Sequence, residues 1–124
     1  MSTTRASAVV DLTAIRHNAA RLARAAGRAE LVAVVKANGY GHGAAEVAGA
    51  ALSAGATRLA VATPVEAETL RGAGIGVPIQ VMGPLHTAEF AVVAALGAEV
   101  TVWTPEAATA ATAATVAHSH PHPT

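Results

Sequence analysis

Cysteine is absent from the 124 residues of the sequence, which excludes disulfide bonds, thiolate metal ligands and cysteine nucleophiles. Aromatic side chains are scarce, since Phe, Tyr and Trp occur once each, so a core has to be built from alanine, valine and leucine. No apolar run approaches the roughly 20 residues that span a bilayer, and the amino terminus lacks the apolar stretch of a signal peptide. We therefore expect a cytoplasmic protein with no membrane partner.

The sequence also lacks an excess of charge of either sign. It has 8 basic and 8 acidic residues, a formal net charge of zero and an isoelectric point near 7.0. Because there is no basic stripe, nucleic acid is not expected as a partner. Arginine provides every cationic side chain except Lys36, so the chain has a single side-chain amine.

Short apolar runs alternate with longer amphipathic stretches, a pattern typical of βα units around a parallel sheet. The composition, 52% hydrophobic and 13% charged, suits one core and not two full domains. Helices are predicted over residues 11–28, 44–53, 63–72 or 63–74, 87–96 and 104–117, and strands over 31–37, 58–62, 78–82 and 99–102. The fold class is therefore α/β, with four βα units after a leading helix, as in α/β barrels or doubly wound sheets.

Lys36 lies at the carboxyl end of the first predicted strand, residues 31–37, which is apolar without polar alternation and is expected to be buried on both faces. The carboxyl ends of parallel strands are where both kinds of α/β fold place their sites. A desolvated lysine is an amine nucleophile, as a Schiff base with a carbonyl compound requires. The alternative is a lysine that extends from the strand end into solvent.

The segment around this lysine, residues 33–43, reads Ala-Val-Val-Lys-Ala-Asn-Gly-Tyr-Gly-His-Gly. It resembles the lysine motif of alanine racemases, the fold-type III pyridoxal-phosphate enzymes. The likeness extends to the opening helix at residues 10–18, to the second unit at 54–71 and to the third at 78–83, so it covers residues 8 to about 105. Other fold-type III enzymes and the single-domain homeostasis family that binds this cofactor rank lower, since that family lacks the Tyr-Gly-His-Gly continuation.

The resemblance implies a partial (β/α)8 TIM-type barrel, with residues 1–117 as its N-terminal half, 118–124 as a disordered His/Pro tail, and a chain truncated at its C-terminus. It also implies that pyridoxal 5'-phosphate is the cofactor and that Lys36 forms the internal aldimine and acts as one of two bases. Tyr40 would contact the cofactor phosphate, and Val34 and Met82 would line the cofactor. The implied reaction interconverts L-alanine and D-alanine for peptidoglycan synthesis, in an enzyme that works as a homodimer.

Two functional hypotheses follow, because the family's second base and its arginine facing the pyridine nitrogen have no counterpart in the sequence. The chain is either part of an active racemase or a catalytically inactive remnant or assembly module that needs a partner chain. Extension of the reading frame would favour the first hypothesis, and a genuine stop after Thr124 would favour the second.

Several residues near the motif and in the tail also have a purely structural interpretation. Tyr40 is an aromatic packed on the following helix if it is not a phosphate ligand. Glycines 39, 41 and 43 are turn formers first, and His42 is interpreted as a loop histidine with a satisfied ring. The three tail histidines, 118, 120 and 122, are not a preformed metal site, so no metal is predicted.

Overall fold

The structure, a computed structural model, describes residues 5–119. Within that range the chain forms six helical segments and four strands. The helical segments are α1 (Leu12–Ala26), α2 (Lys36–Tyr40), α3 (Ala44–Ser53), α4 (Pro64–Gly72), α5 (Glu89–Ala95) and α6 (Pro105–Ser119). The strands are β1 (Val32–Val34), β2 (Arg58–Val61), β3 (Ile79–Val81) and β4 (Glu99–Val100).

The four strands form one parallel sheet in the order β1-β2-β3-β4, so that each strand lies beside the next one in sequence. Helices α3, α4 and α5 are the connections between successive strands, as parallel pairing requires. The predicted α/β fold with four βα units is therefore confirmed. All four strands end at the same edge of the sheet, which is where Lys36 follows β1.

The core lies between one face of the sheet and these helices. Fully buried strand residues such as Leu59, Ile79 and Val81 pack with Leu70 of α4 and Val93 of α5. Burying such a side chain contributes about 1.5–3 kcal/mol each, so this layer is the main source of stability.

The opposite face of the sheet is much less covered. The sheet register aligns Val34 with Ala60, and Ala60 with Gln80, on this face. Val32 and Val34 are 37% and 39% exposed. The expectation that the first strand is buried on both faces is therefore wrong, because within residues 5–119 the helices cover only one side of it.

Helix α1 begins at Leu12 because Asp11 caps it. The Asp11 carboxylate accepts hydrogen bonds from the backbone N–H groups of Thr13 (2.9 Å) and Ala14 (3.3 Å), two of the donors that a helix start leaves without intrahelical partners. The helix ends at Gly27, whose φ of 62° is accessible to glycine at little cost.

Replacement of Asp11 by alanine is expected to lower the free energy of unfolding by about 1 kcal/mol, since an N-cap side chain typically contributes that much. Urea unfolding followed by circular dichroism measures the loss. Asp11→Asn, which keeps a capping oxygen, is the matched control and should retain most of the stability. Equal losses in the two variants would contradict the capping role.

The last described helix, α6, runs two residues beyond its predicted end and includes His118 and Ser119. The predicted disordered tail of residues 118–124 thus begins inside a helix, because the Ala-Thr sequence continues its helical hydrogen bonding through these two residues, and residues 120–124 lie outside the described range. None of the described helices has the length and apolarity that a bilayer crossing requires.

Candidate functional site

The chain leaves the sheet earlier than the sequence predicts. Strand β1 ends at Val34, and Lys36 begins the short helical segment α2 in place of completing a strand to Ala37. Four consecutive residues, Ala37 to Tyr40, have left-handed φ values of 51°, 55°, 64° and 56°. A left-handed helical conformation costs roughly 1–2 kcal/mol for each residue with a Cβ, so other contacts must hold this turn.

Backbone hydrogen bonds close the turn on itself. The N–H of Gly39 donates to the carbonyl of Val35 (2.9 Å), and the N–H of Gly41 donates to the carbonyl of Ala37 (3.0 Å). The Asn38 side chain accepts from the N–H of Ala44 at the start of α3 (3.0 Å). These bonds fasten the turn to the end of β1 on one side and to α3 on the other.

Gly39 is the position in the turn where a side chain does not fit. It is buried, its φ is 64°, and an added Cβ would lie 3.3 Å from the backbone of Ala44. The prediction that the motif glycines are turn formers therefore has a clear physical basis at this residue. His42 bonds the Gly39 carbonyl through Nδ1 (3.1 Å), which agrees with its interpretation as a satisfied loop histidine.

A carboxylate from the next βα unit holds the start of the turn. Oε2 of Glu66 accepts a hydrogen bond from the N–H of Ala37 (2.5 Å), the residue directly after the lysine. Oε1 of Glu66 accepts from the N–H groups of Ala62 and Thr63 (3.0 Å each), and Glu66 completes the capping box of α4 with Thr63. One side chain thus joins the lysine turn after β1 to the loop after β2.

The sequence alone does not reveal the contact between Glu66 and Ala37. The signal that could have found it is topological. Because Glu66 follows the end of β2, and β2 pairs with β1, its carboxylate lies beside the residues that follow β1.

Lys36 itself is only partly buried, and not fully buried as a strand enclosed on both faces would make it. Its amine has no hydrogen bond and no ion pair among residues 5–119. The ion pairs described in that range join Arg58 to Glu30 and Glu99 at the opposite ends of the strands. The Lys36 amine is therefore not engaged by an acidic side chain of the described residues.

The structure places the other predicted site residues at the same edge of the sheet, at differing distances from Lys36. Val34 ends β1 on its less covered face, and Tyr40, 58% exposed, lies in the left-handed turn. Met82 follows β3 and donates its N–H to the Val61 carbonyl (2.8 Å). Two strand spacings, about 9–10 Å, separate the backbones of β1 and β3. Val34, Lys36 and Tyr40 therefore lie together at the end of β1, and Met82 lies two strands away from them.

A family model described as the N-terminal domain of alanine racemase matches residues 10–124. The alanine racemase of Desulforamulus reducens is 57% identical over 77 residues, which are 61% of this chain and 21% of that protein. The alanine racemase of Mycobacterium tuberculosis is 58% identical over 74 residues, 60% of this chain and 19% of that protein. The chain spans about a fifth of the length of these curated relatives.

Solved structures give the same result for the fold. The alanine racemase from a Streptomyces lavendulae that produces D-cycloserine superposes with a TM-score of 0.83 at 39% identity, over 89% of this chain and 29% of that one. The alanine racemase from E. faecalis has a TM-score of 0.78 at 39% identity, over 83% of this chain and 28% of that one. The predicted partial (β/α)8 barrel is thereby confirmed.

Proposed function

We propose, because the chain belongs to the family of alanine racemase N-terminal domains, that it supplies the lysine-bearing part of a racemase that depends on pyridoxal 5'-phosphate. The proposed reaction interconverts L-alanine and D-alanine in the cytoplasm and provides D-alanine for peptidoglycan. The observation that carries the proposal is the position of Lys36 directly after β1, at the carboxyl edge of the parallel sheet, with its amine in no ion pair with residues 5–119. This edge is where barrel enzymes carry their reactive groups.

The chemistry of the described side chains fits the proposed cofactor. Lys36 offers a primary amine for a covalent bond to an aldehyde carbon, and Tyr40 offers a hydroxyl that donates a hydrogen bond to a phosphate oxygen. Val34 offers apolar surface for a flat ring at the less covered face of the sheet. Met82, partly buried after the end of β3, offers a second apolar side chain at the same sheet edge.

In the proposed mechanism, pyridoxal phosphate supplies the electron sink that stabilises negative charge on the substrate Cα. Lys36 would hold the cofactor through its amine, and the same amine, when free, would take or return the Cα proton on one face. Tyr40 would hold the phosphate end through its hydroxyl, and Val34 and Met82 would exclude water from the ring. The second base is proposed to come from residues beyond this part of the chain, in a homodimer.

Lys36 is expected to carry a saturable adduct when the purified chain is mixed with pyridoxal phosphate. The measurement is the absorption of the imine, followed by borohydride reduction and location of the adduct by peptide mass. Lys36→Arg, which keeps the positive charge but cannot form an imine, should lose the adduct. The amine of Met1 provides an internal control for non-specific labelling.

A comparison with pyridoxal, which lacks the phosphate, tests the assignment of Tyr40. Tyr40→Phe is expected to weaken capture of pyridoxal phosphate and to leave capture of pyridoxal unchanged, since only the hydroxyl is lost.

Adduct confined to Met1, or label that rises without saturation, would contradict the proposed function. That result would favour the alternative of a catalytically inactive assembly module, for which the less covered sheet face offers a surface.

A further inference from the structure

The turn that carries Lys36 is held at its first residue by a single side chain from outside the turn. Ala37 is a non-glycine residue with a φ of 51°, and its N–H donates to Oε2 of Glu66. The other carboxylate oxygen of Glu66 accepts from two backbone N–H groups after β2, those of Ala62 and Thr63. The carboxylate therefore joins two strand ends through three backbone donors.

An ionised carboxylate suits this place because both of its oxygens accept hydrogen bonds and neither donates. Glutamine has the same shape, but it has one acceptor oxygen and one NH2 group. If its oxygen faces Ala62 and Thr63, its NH2 group faces the N–H of Ala37, and two donors then point at each other. Glutamine at this position can therefore keep the cap of α4 and still lose the bond to the turn.

We infer that Glu66 is a positioning residue, whose carboxylate holds the Lys36 turn in its left-handed conformation and so fixes the direction of the lysine side chain. The inference rests on the proposed function, because the positioned amine is the one that would capture the cofactor. Release of Ala37 lets the turn relax toward right-handed or extended backbone, which for a residue with a Cβ is lower in energy. The amine then samples directions away from the sheet edge.

The test is Glu66→Gln, measured in three ways on the purified chain. The half-saturating concentration of pyridoxal phosphate for the Lys36 adduct is expected to rise about tenfold, because a hydrogen bond to a charged group is lost. Hydrogen exchange of the Ala37 amide is expected to accelerate. The urea midpoint of unfolding is expected to change little, since glutamine still caps α4.

Two control variants separate positioning from general stability. Glu68→Gln makes the same chemical change two residues further along α4, on an exposed side chain, and should leave all three measurements unchanged. Arg71→Ala removes hydrogen bonds to the carbonyls of Ile75 and Leu96 at the far end of α4, so it should lower the urea midpoint and leave cofactor capture by the folded chain near that of the parent.

Unchanged hydrogen exchange at Ala37 in Glu66→Gln would overturn the inference. It would also be overturned if Arg71→Ala, which only lowers stability, weakened cofactor capture by the folded chain as much as Glu66→Gln does. If the parent chain forms no saturable adduct, the proposed function fails. The Ala37 exchange rate still decides in that case whether Glu66 holds the turn.

Discussion

Replacement of Arg71 by alanine is expected to lower the free energy of unfolding by about 2–4 kcal/mol, because hydrogen bonds to a charged group contribute about 1.5–3 kcal/mol and part of the loss is regained by water. The Arg71 guanidinium donates to four backbone carbonyls. These are the carbonyls of Leu96 (2.8 Å), Ile75 (2.8 Å), Val77 (2.7 Å) and Gly97 (3.2 Å). One side chain thus fastens the end of α5 to the loop that leads into β3.

Urea unfolding of three variants distinguishes this role from a general effect of losing charge. Arg71→Lys keeps the charge but presents one compact group where a planar fork is needed, so it should recover little of the stability. Arg21→Ala removes an exposed arginine on α1 and should change stability by no more than about 0.5 kcal/mol. Equal losses in Arg71→Ala and Arg21→Ala would contradict the bridging role of Arg71.

Local signals in the sequence predicted the helices well because each signal acts within a few residues. Helix α3 has the predicted bounds, Ala44–Ser53, and α4 begins at Pro64 after the Thr63 cap, where the predicted helix range starts. Burial of the first strand could not be predicted in the same way. An apolar run shows that a strand can be buried, but which faces are covered depends on helices placed by the rest of the chain.

The candidate site was likewise predictable from the sequence only in part. The sequence motif contains Lys36 and Tyr40, and the structure places both in the turn after β1. The left-handed conformation of four consecutive residues was not predicted, because Asn38 and Gly39 favour a positive φ but Ala37 and Tyr40 do not. The contact that holds Ala37 comes from Glu66, 29 residues later, and exists only because the two strand ends are neighbours in the sheet.

Gly83 contacts the loop after β2 that also bonds Glu66. Its N–H donates to the carbonyl of Ala62 (3.1 Å), and an added Cβ would overlap that carbonyl oxygen. The oxygen is backbone and cannot swing away, so the loop after β2 has to shift. Ala62 is also a donor to Glu66, and a shift of its peptide therefore disturbs the carboxylate that holds Ala37.

Gly83→Ala is accordingly expected to lower the free energy of unfolding by about 1–3 kcal/mol through overpacking and to weaken capture of pyridoxal phosphate by Lys36. Gly76→Ala is the matched control, since a Cβ there meets no atom within 4 Å and the backbone has no positive φ. Urea unfolding and the adduct titration measure the two effects. If Gly83→Ala captures pyridoxal phosphate less well even when the chain is fully folded, the disturbance reaches Lys36 through Ala62 and Glu66. If Gly83→Ala and Gly76→Ala show the same stability and the same capture, the contact between Gly83 and Ala62 does not influence Lys36.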